Sequence, residues 1–455
     1  MTRSSQTRED SDAKTSRTAL LGAGFGTFVE YYDFVIYGFM AAVISQQFFP
    51  TGDPVSSLML TFGSFLASYL VRPLGAVIFA PLSDKFGRRP ILALVILVMT
   101  VATAAIGLLP TYAQVGVASP VLLTALRLVQ GLSAGGEYGS ASSMVAEFAP
   151  AGKRGFYLSF MTLSVGAGLL GGSLIATLAS TLTPPEAFNS WAWRIPFLLA
   201  LPIGLIGLYV RFKLEETPYF KKLAETGEVK RTPLLTALRR DGKNVVLGIG
   251  LAGVQTLTMI IYTVYSSSYL KVVHGYSGAD AQLIVLSGLT LFCIVTVPLG
   301  KLTDAMGRRS LLIATSIGLA LWMVPSFLLF ASHSVLLSLL AVLVAIPLMS
   351  LNMTAAIAIL TEMFATDTRT TGASIGWQTA NTIFGGPSPL IMTSLAATGI
   401  LLLPALYAVA VIIVCLVFVL LAKDSFRAPL RVSVSDSVIE AEGGAHEPAR
   451  SIPGQ

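Results

Sequence analysis

Charge is what this sequence has least of. Of its 455 residues only 12% are Asp, Glu, Lys or Arg, against roughly 25% in an ordinary soluble domain. Meanwhile 54% are hydrophobic and the mean hydropathy is +0.75, so a soluble globular fold is excluded. Cysteine is almost absent too. Cys293 and Cys415 lie inside apolar runs with no ligand-type spacing around them, which excludes a disulfide framework and gives no metal site. Of the three histidines, His274 and His333 fall at loop positions and His446 near the C-terminus. No intramembrane histidine relay is available, and a coupled proton has to ride on a carboxyl group. A phosphate-cradling Gly-x-x-x-x-Gly-Lys-Ser/Thr loop is missing, which argues against an ATP-driven pump and leaves no cofactor to expect. The net charge of +6 does not point to nucleic acid, because the basic residues sit between apolar stretches.

What the sequence has in abundance is apolar runs. Stretches such as 91–109 and 404–422 are apolar on every face, which excludes the alternating strands of a membrane barrel. Breakers and hydropathy give twelve spans near 19–44, 56–81, 91–109, 121–148, 156–182, 194–212, 244–271, 281–300, 310–331, 335–361, 372–397 and 400–422. The expected fold is an all-α membrane protein, with a tail at 1–18, a six-helix bundle at 19–212, a basic loop at 213–243, a second bundle at 244–422 and a tail at 423–455. Lys and Arg crowd alternate loops, at 85–89, 153–154, 213–243, 301–309 and 369 and in both tails, while the opposite loops offer essentially Lys271. The positive-inside rule then puts both termini in the cytoplasm and the chain in the inner membrane. Residues 1–18 carry no apolar core and read as a tail, not a cleaved signal. Trp191 and Trp193, at the start of the sixth span, suit an aromatic belt on the outer surface.

A repeat carries more information than any single span. Pro81-Leu-Ser-Asp-Lys-Phe-Gly-Arg-Arg89 returns as Lys301-Leu-Thr-Asp-Ala-Met-Gly-Arg-Arg309, and Glu147-Phe-Ala followed by Lys153-Arg154 returns as Glu362-Met-Phe-Ala followed by Arg369. Both pairs recur at about half the chain length on one side of the membrane, so the halves are parallel, pseudo-symmetric repeats. In each loop copy Asp84, Gly87, Arg88 and Arg89, or Asp304, Gly307, Arg308 and Arg309, form a tight turn in which the glycine takes a positive φ. These eight residues are the candidate gate.

The candidate site residues lie on polar helix faces. Glu30 and Asp33 are one turn apart in the first span with Tyr37 on the same side, and a charge at that depth costs about 3 kcal/mol, so it marks an ion or solute path. In the fourth span Arg127, Gln130 and Glu137 share one face, while Gly131, Gly135 and Gly139 form a separate stripe for close helix contact. Arg127 can bind a carboxylate with its planar fork; a permanent ion pair with Glu137 or Glu30 is the structural alternative. Glu30, Asp33 and Glu137 are the candidate proton carriers. Tyr31, Tyr262, Tyr265, Asn352, Trp377, Gln378 and Asn381 are polar or amphipathic groups that complete a central site or simply pack. Arg72 and Arg194 are expected near opposite ends of their helices, leaving Arg127 as the one arginine at the centre.

The two Asp-x-x-Gly-Arg-Arg loops resemble the signature of the major facilitator superfamily, with Ala80 in place of its leading glycine in the first copy and Ala305 in place of a basic residue in the second. Glu30-Tyr-Tyr-Asp-Phe34, Gln130-Gly-Leu-Ser-Ala-Gly-Gly-Glu137, Arg72-Pro-Leu-Gly75 and Leu214-Glu-Glu-Thr-Pro218 are similar to the metabolite:proton symporter family within it, with Tyr31 where Trp is commoner. The resemblance implies import of a small organic solute with a proton by rocking of two bundles around a central site, by a chain that works as a monomer in the lipid bilayer. Members of that family carry proline or betaine, 2-oxoglutarate, citrate or shikimate. One central arginine and several cation hosts favour a proline- or betaine-like zwitterion over a di- or tricarboxylate or a shikimate-type acid. A drug:proton antiporter, a sugar uniporter and a nontransporting membrane sensor are the competing readings. Residues 423–455 carry no sustained heptads, so a C-terminal coiled coil is not expected.

Overall fold

The computed structural model describes residues 24–86, 88–150, 152–213, 233–365 and 368–423. The expected tails, and 214–232 of the expected central loop, lie outside the described residues. No strand occurs among those described. Twelve membrane segments run as α1 (Gly24–Phe39 bent by 62° into Ala41–Phe48), α2 (Pro54–Leu70 and Arg72–Phe86), α3 (Arg88–Leu108), α4 (Ala118–Ala134 and Tyr138–Phe148), α5 (Arg154–Leu182) and α6 (Ile195–Lys213). The second set is α7 (Pro233–Met259, a π-turn at Ile260–Tyr265, then Ser266–Val272), α8 (Gly278–Met306), α9 (Arg308–Phe330), α10 (Val335–Glu362), α11 (Arg369–Ala380, a π-turn at Asn381–Gly385, then Pro387–Ala396) and α12 (Leu403–Leu421).

Nine described helices are long and apolar enough to cross a membrane unaided, and the bent pair of α1 makes a tenth. The two segments left over, α4 and α11, are broken at 135–137 and at the π-turn. Backbone irregularity of this kind survives at membrane depth only where it is buried in protein or lines a cavity, so the weakest hydropathy signals mark the middle of the molecule. The helical stretch from Pro233 is broken by non-helical backbone at Asp241 (φ −116°, ψ 16°), so the expected start of the seventh span at 244 falls just after that kink. At the start of α2, Pro54 follows Asp53, whose carboxylate accepts from the Ser56 amide at 2.8 Å.

Packing repeats between the halves as the sequence does. α3 lies against α6 and α4, as α9 lies against α12 and α10; α2 packs on α4 as α8 packs on α10. Between the halves α5 packs along α8 and also touches α10, while α2 and α4 meet α11. The glycine stripe of α4 makes this possible: a Cβ on Gly131 or Gly135 would run into the α2 backbone at Ser68 and Arg72, and one on Gly139 into Ser374 of α11. Trp191 is exposed, as a belt residue is, but Trp193 is fully buried, edge-on to Phe48 and Phe197. Its neighbours in α1 and α6 claim it before lipid can.

Candidate functional site

Three acids and three arginines are buried around the centre of the first half. Glu30 faces Arg72 at 3.7 Å, and Glu137 accepts from Arg211 Nη2 at 2.9 Å. Neither arginine is the one expected to pair with Glu30 or Glu137. Arg127 instead donates from Nη1 to Gln130 Oε1 at 2.9 Å and lies 3.9 Å above the Tyr37 ring. Gln130 in turn donates to Thr103 Oγ1 at 2.5 Å, and the Tyr37 hydroxyl contacts Ser64 Oγ. The guanidinium is thus held flat by a cation–π contact and one amide, with Nε unpartnered. Asp33 is buried with no well-formed hydrogen bond on either carboxyl oxygen; the Thr103 hydroxyl is its hydrogen-bonding neighbour and Arg127 its nearby positive charge. Buried polar atoms left open in this way call for a ligand, a proton or water.

These groups surround one cavity. Glu30, Asp33, Phe34, Ser68, Arg72, Met99, Arg127, Gln130, Gly131 and Ala134 line a narrow cavity of about 20 Å³, room for a single water, so a solute enters only when the helices part. Arg72 lines the cavity as Arg127 does, so Arg127 is not the one arginine at this site as expected. Tyr69 and Phe34 hold the Arg72 guanidinium at 4.1 and 5.8 Å from their ring centroids. Glu137 stands outside the lining, walled in with Arg211 by Gly26, where any Cβ would collide with both side chains.

The second half presents neutral groups. Thr256 donates to Asn381 Oδ1 at 3.2 Å, Asn381 to Gln378 Oε1 at 3.3 Å, and Gln378 to the carbonyl of Ala134, in the cavity wall, at 3.0 Å. Trp377 stacks on Tyr138 at 4.3 Å, and Tyr31 meets the same tyrosine edge-on at 6.4 Å, so an aromatic chain joins α1, α4 and α11. Tyr262 bonds Ser326 at 2.8 Å, Tyr265 stacks on Tyr269 at 5.2 Å, and Asn352 donates to Thr315 and Ser316 at 2.9 and 3.1 Å. None of these three lines the cavity.

On the face with the basic loops the halves are clamped reciprocally. Glu147 of the first half binds Arg369 of the second at 3.0 Å, and Glu362 of the second binds Arg154 of the first at 3.3 Å and also Arg308. The repeated motif thus pairs with its own copy. Asp304 accepts from the amides of Gly155 and Phe156 at 2.7 and 2.8 Å, capping α5 from the other half, and lies 3.4 Å from Arg308. Gly307 has φ 88° and ψ 135°, the positive φ expected of the turn. Arg309 donates to the Leu420 carbonyl. Gly87 lies outside the described residues, as do the side chains of Asp84, Arg88 and Arg89.

A twelve-segment bundle with paired charges around one central cavity defines a multi-pass membrane transporter, not an enzyme. The sequence profile of the Major Facilitator Superfamily matches residues 23–389, and the chain belongs to that superfamily. It is 34% identical to the glycine betaine/proline/ectoine/pipecolic acid transporter OusA of Dickeya dadantii over 425 residues, 91% of this chain and 85% of that one. It is 32% identical to the proline/betaine transporter of Salmonella typhimurium, with the same coverage, and 33% identical to the shikimate transporter of Escherichia coli, covering 91% of this chain and 96% of the relative. The proton:xylose symporter XylE superposes with a TM-score of 0.75 at 15% identity, over 92% of this chain and 98% of its own, a likeness of fold.

Proposed function

We propose that the chain is a proton-coupled symporter for a small organic zwitterion of the proline or betaine kind, taken up by alternating access. The observation that carries this reading is the set of open valences of both signs on one cavity, the Nε atoms of Arg127 and Arg72 against both Asp33 oxygens and Glu30 Oε2. A solute carboxylate on Arg127 and a solute ammonium near Asp33 satisfy both without leaving a buried charge alone. The relatives' names, which pair betaine, proline and ectoine with transport, support the same solute class. Glu30 is the proton carrier in this reading. Its contact with Arg72 is long and its Oε2 is unpartnered, so protonation releases Arg72 toward the solute carboxylate and couples the two ligands. Glu137, locked to Arg211, holds structure. Asp304, Arg308, Glu147, Glu362, Arg154 and Arg369 act as the latch that parts when the site opens to the basic face, with Asp84, Gly87, Arg88, Arg89, Gly307 and Arg309 shaping its two loops. Tyr31, Trp377, Gln378 and Asn381 form the floor that parts with it.

A second reading, symport of a shikimate-type or dicarboxylic acid, is favoured by Arg72, a second arginine on the cavity. Competition decides: unlabelled betaine or proline displaces bound labelled betaine, whereas displacement by citrate or shikimate alone favours the acid. Four charged residues on the cavity disfavour a drug:proton antiporter, which wants an apolar lining. Counterflow in liposomes separates a transporter from a sensor, which binds without moving solute. The functional unit is a monomer in the inner membrane, built of bundles at 19–212 and 244–422 with both termini cytoplasmic. C-terminal reporter fusions test that orientation: a fusion active only outside the cytoplasm contradicts it.

A further inference from the structure

Two histidines that the central site leaves unused meet on the face opposite the basic loops. His274 follows α7 and His333 lies in the turn between α9 and α10, 59 positions away, and their ring centroids stand 5.7 Å apart with planes at 79°. Each ring is steadied by an aromatic neighbour. Tyr269 meets His274 edge-on at 4.8 Å, and Tyr276 stacks on His333 at 6.0 Å and 12°. Tyr276 is itself fixed, donating to the Phe330 carbonyl at 3.2 Å and bonding Ser338 Oγ at 2.9 Å. His333 has φ 54°, the one non-glycine residue with positive φ among those described, a conformation that costs energy and tends to mark working sites. The Nε2 atom of His274 is buried without a hydrogen-bond partner.

Two imidazoles on one tetrahedral zinc, with Zn–N bonds of about 2.0–2.1 Å, bring their ring centroids about 5–6 Å apart. We infer that His274 and His333 form a binding site for a zinc-class divalent transition metal, tying the end of α7 to the α9–α10 turn. Such a bridge restrains Ser266–Val272, which the π-turn divides from the rest of α7. Among the described residues no third His, Cys, Asp or Glu joins the pair, so water completes the coordination. Lys271 one turn back on α7 and Asp280 in the first turn of α8 are the nearby formal charges in the chain. Burial, and then the neighbouring His333, hold the His274 pKa below its ordinary value, which favours the neutral imidazole that a metal needs.

The test does not rest on the transport reading. Zinc chloride is titrated calorimetrically into the full chain, purified in detergent without a polyhistidine tag. One zinc per chain is expected. His274→Gln and His333→Asn, the latter tolerant of positive φ, should each weaken binding by more than about tenfold, while His446→Gln binds as wild type. In the unmodified chain affinity should fall as pH drops from about 7.5 to about 5.5, because protons compete for the same nitrogens. Undiminished binding in His274→Gln and His333→Asn, no saturable binding in the wild type, or affinity independent of pH over that range overturns the inference.

Discussion

The two halves share their packing scheme and divide the chemistry unequally. Around the centre the first half holds Glu30, Asp33, Glu137, Arg72, Arg127 and Arg211, whereas the second answers with the neutral chain Thr256–Asn381–Gln378 and the Trp377 ring. On the basic face the halves are equals, each lending an acid and an arginine to a reciprocal clamp. The repeat is therefore kept in the clamp between the halves and abandoned around the charged cavity. Charges at the centre are costly, and confining them to one half lets four of the six neutralise one another in local pairs, Glu30–Arg72 and Glu137–Arg211.

The comparison breaks first at the tightest pair. Arg211→Met should cost about 3–5 kcal/mol, because it leaves Glu137 buried without its partner, and adding Glu137→Met should recover most of the loss; thermal unfolding in detergent reads both. A single variant as stable as wild type would mean that the pair contributes nothing. Next comes the fork on the cavity. Arg127→Lys keeps the charge but loses the flat stack on Tyr37 and the fork geometry, and solute affinity should fall about tenfold, or about 1.4 kcal/mol, by equilibrium binding. The second half should be gentler. Asn352→Leu removes two donated bonds remote from the cavity and should cost about 1–2 kcal/mol of stability with solute affinity unchanged; a tenfold affinity loss would place Asn352 in the site. Smallest among the affinity losses is Gln378→Leu, which removes the bond to the Ala134 carbonyl and the long one accepted from Asn381 and should shift affinity by about two- to fivefold, or 0.5–1 kcal/mol.

Much of this was legible in the chain itself. Uninterrupted apolar runs fixed the class, the recurring Asp-x-x-Gly-Arg-Arg loops disclosed the two halves, and helical periodicity put Glu30, Asp33, Arg127 and Gln130 on faces that do meet at one cavity. Pairing was not legible. Glu137 finds Arg211, 74 positions away in α6, and periodicity within α4 carries no information about a neighbouring helix. Arg211 falls inside the expected sixth span, 194–212, next to the basic loop, where the sequence alone does not say that it turns back toward α4. Arg72 was visible, but Arg127 was expected to be the one arginine at the centre, and both line the cavity. Tyr262 and Asn352 sit on helices that are apolar nearly all round, so the sequence gives no rotation, and both turn toward α9.

The central claim is that Glu30 carries the proton while Arg127 and Asp33 carry the solute. The direct measurement is labelled betaine movement in liposomes containing Glu30→Gln protein, with and without an imposed pH gradient. Loss of gradient-driven accumulation with solute exchange retained is the predicted result. Accumulation that still follows the pH gradient in Glu30→Gln would contradict it.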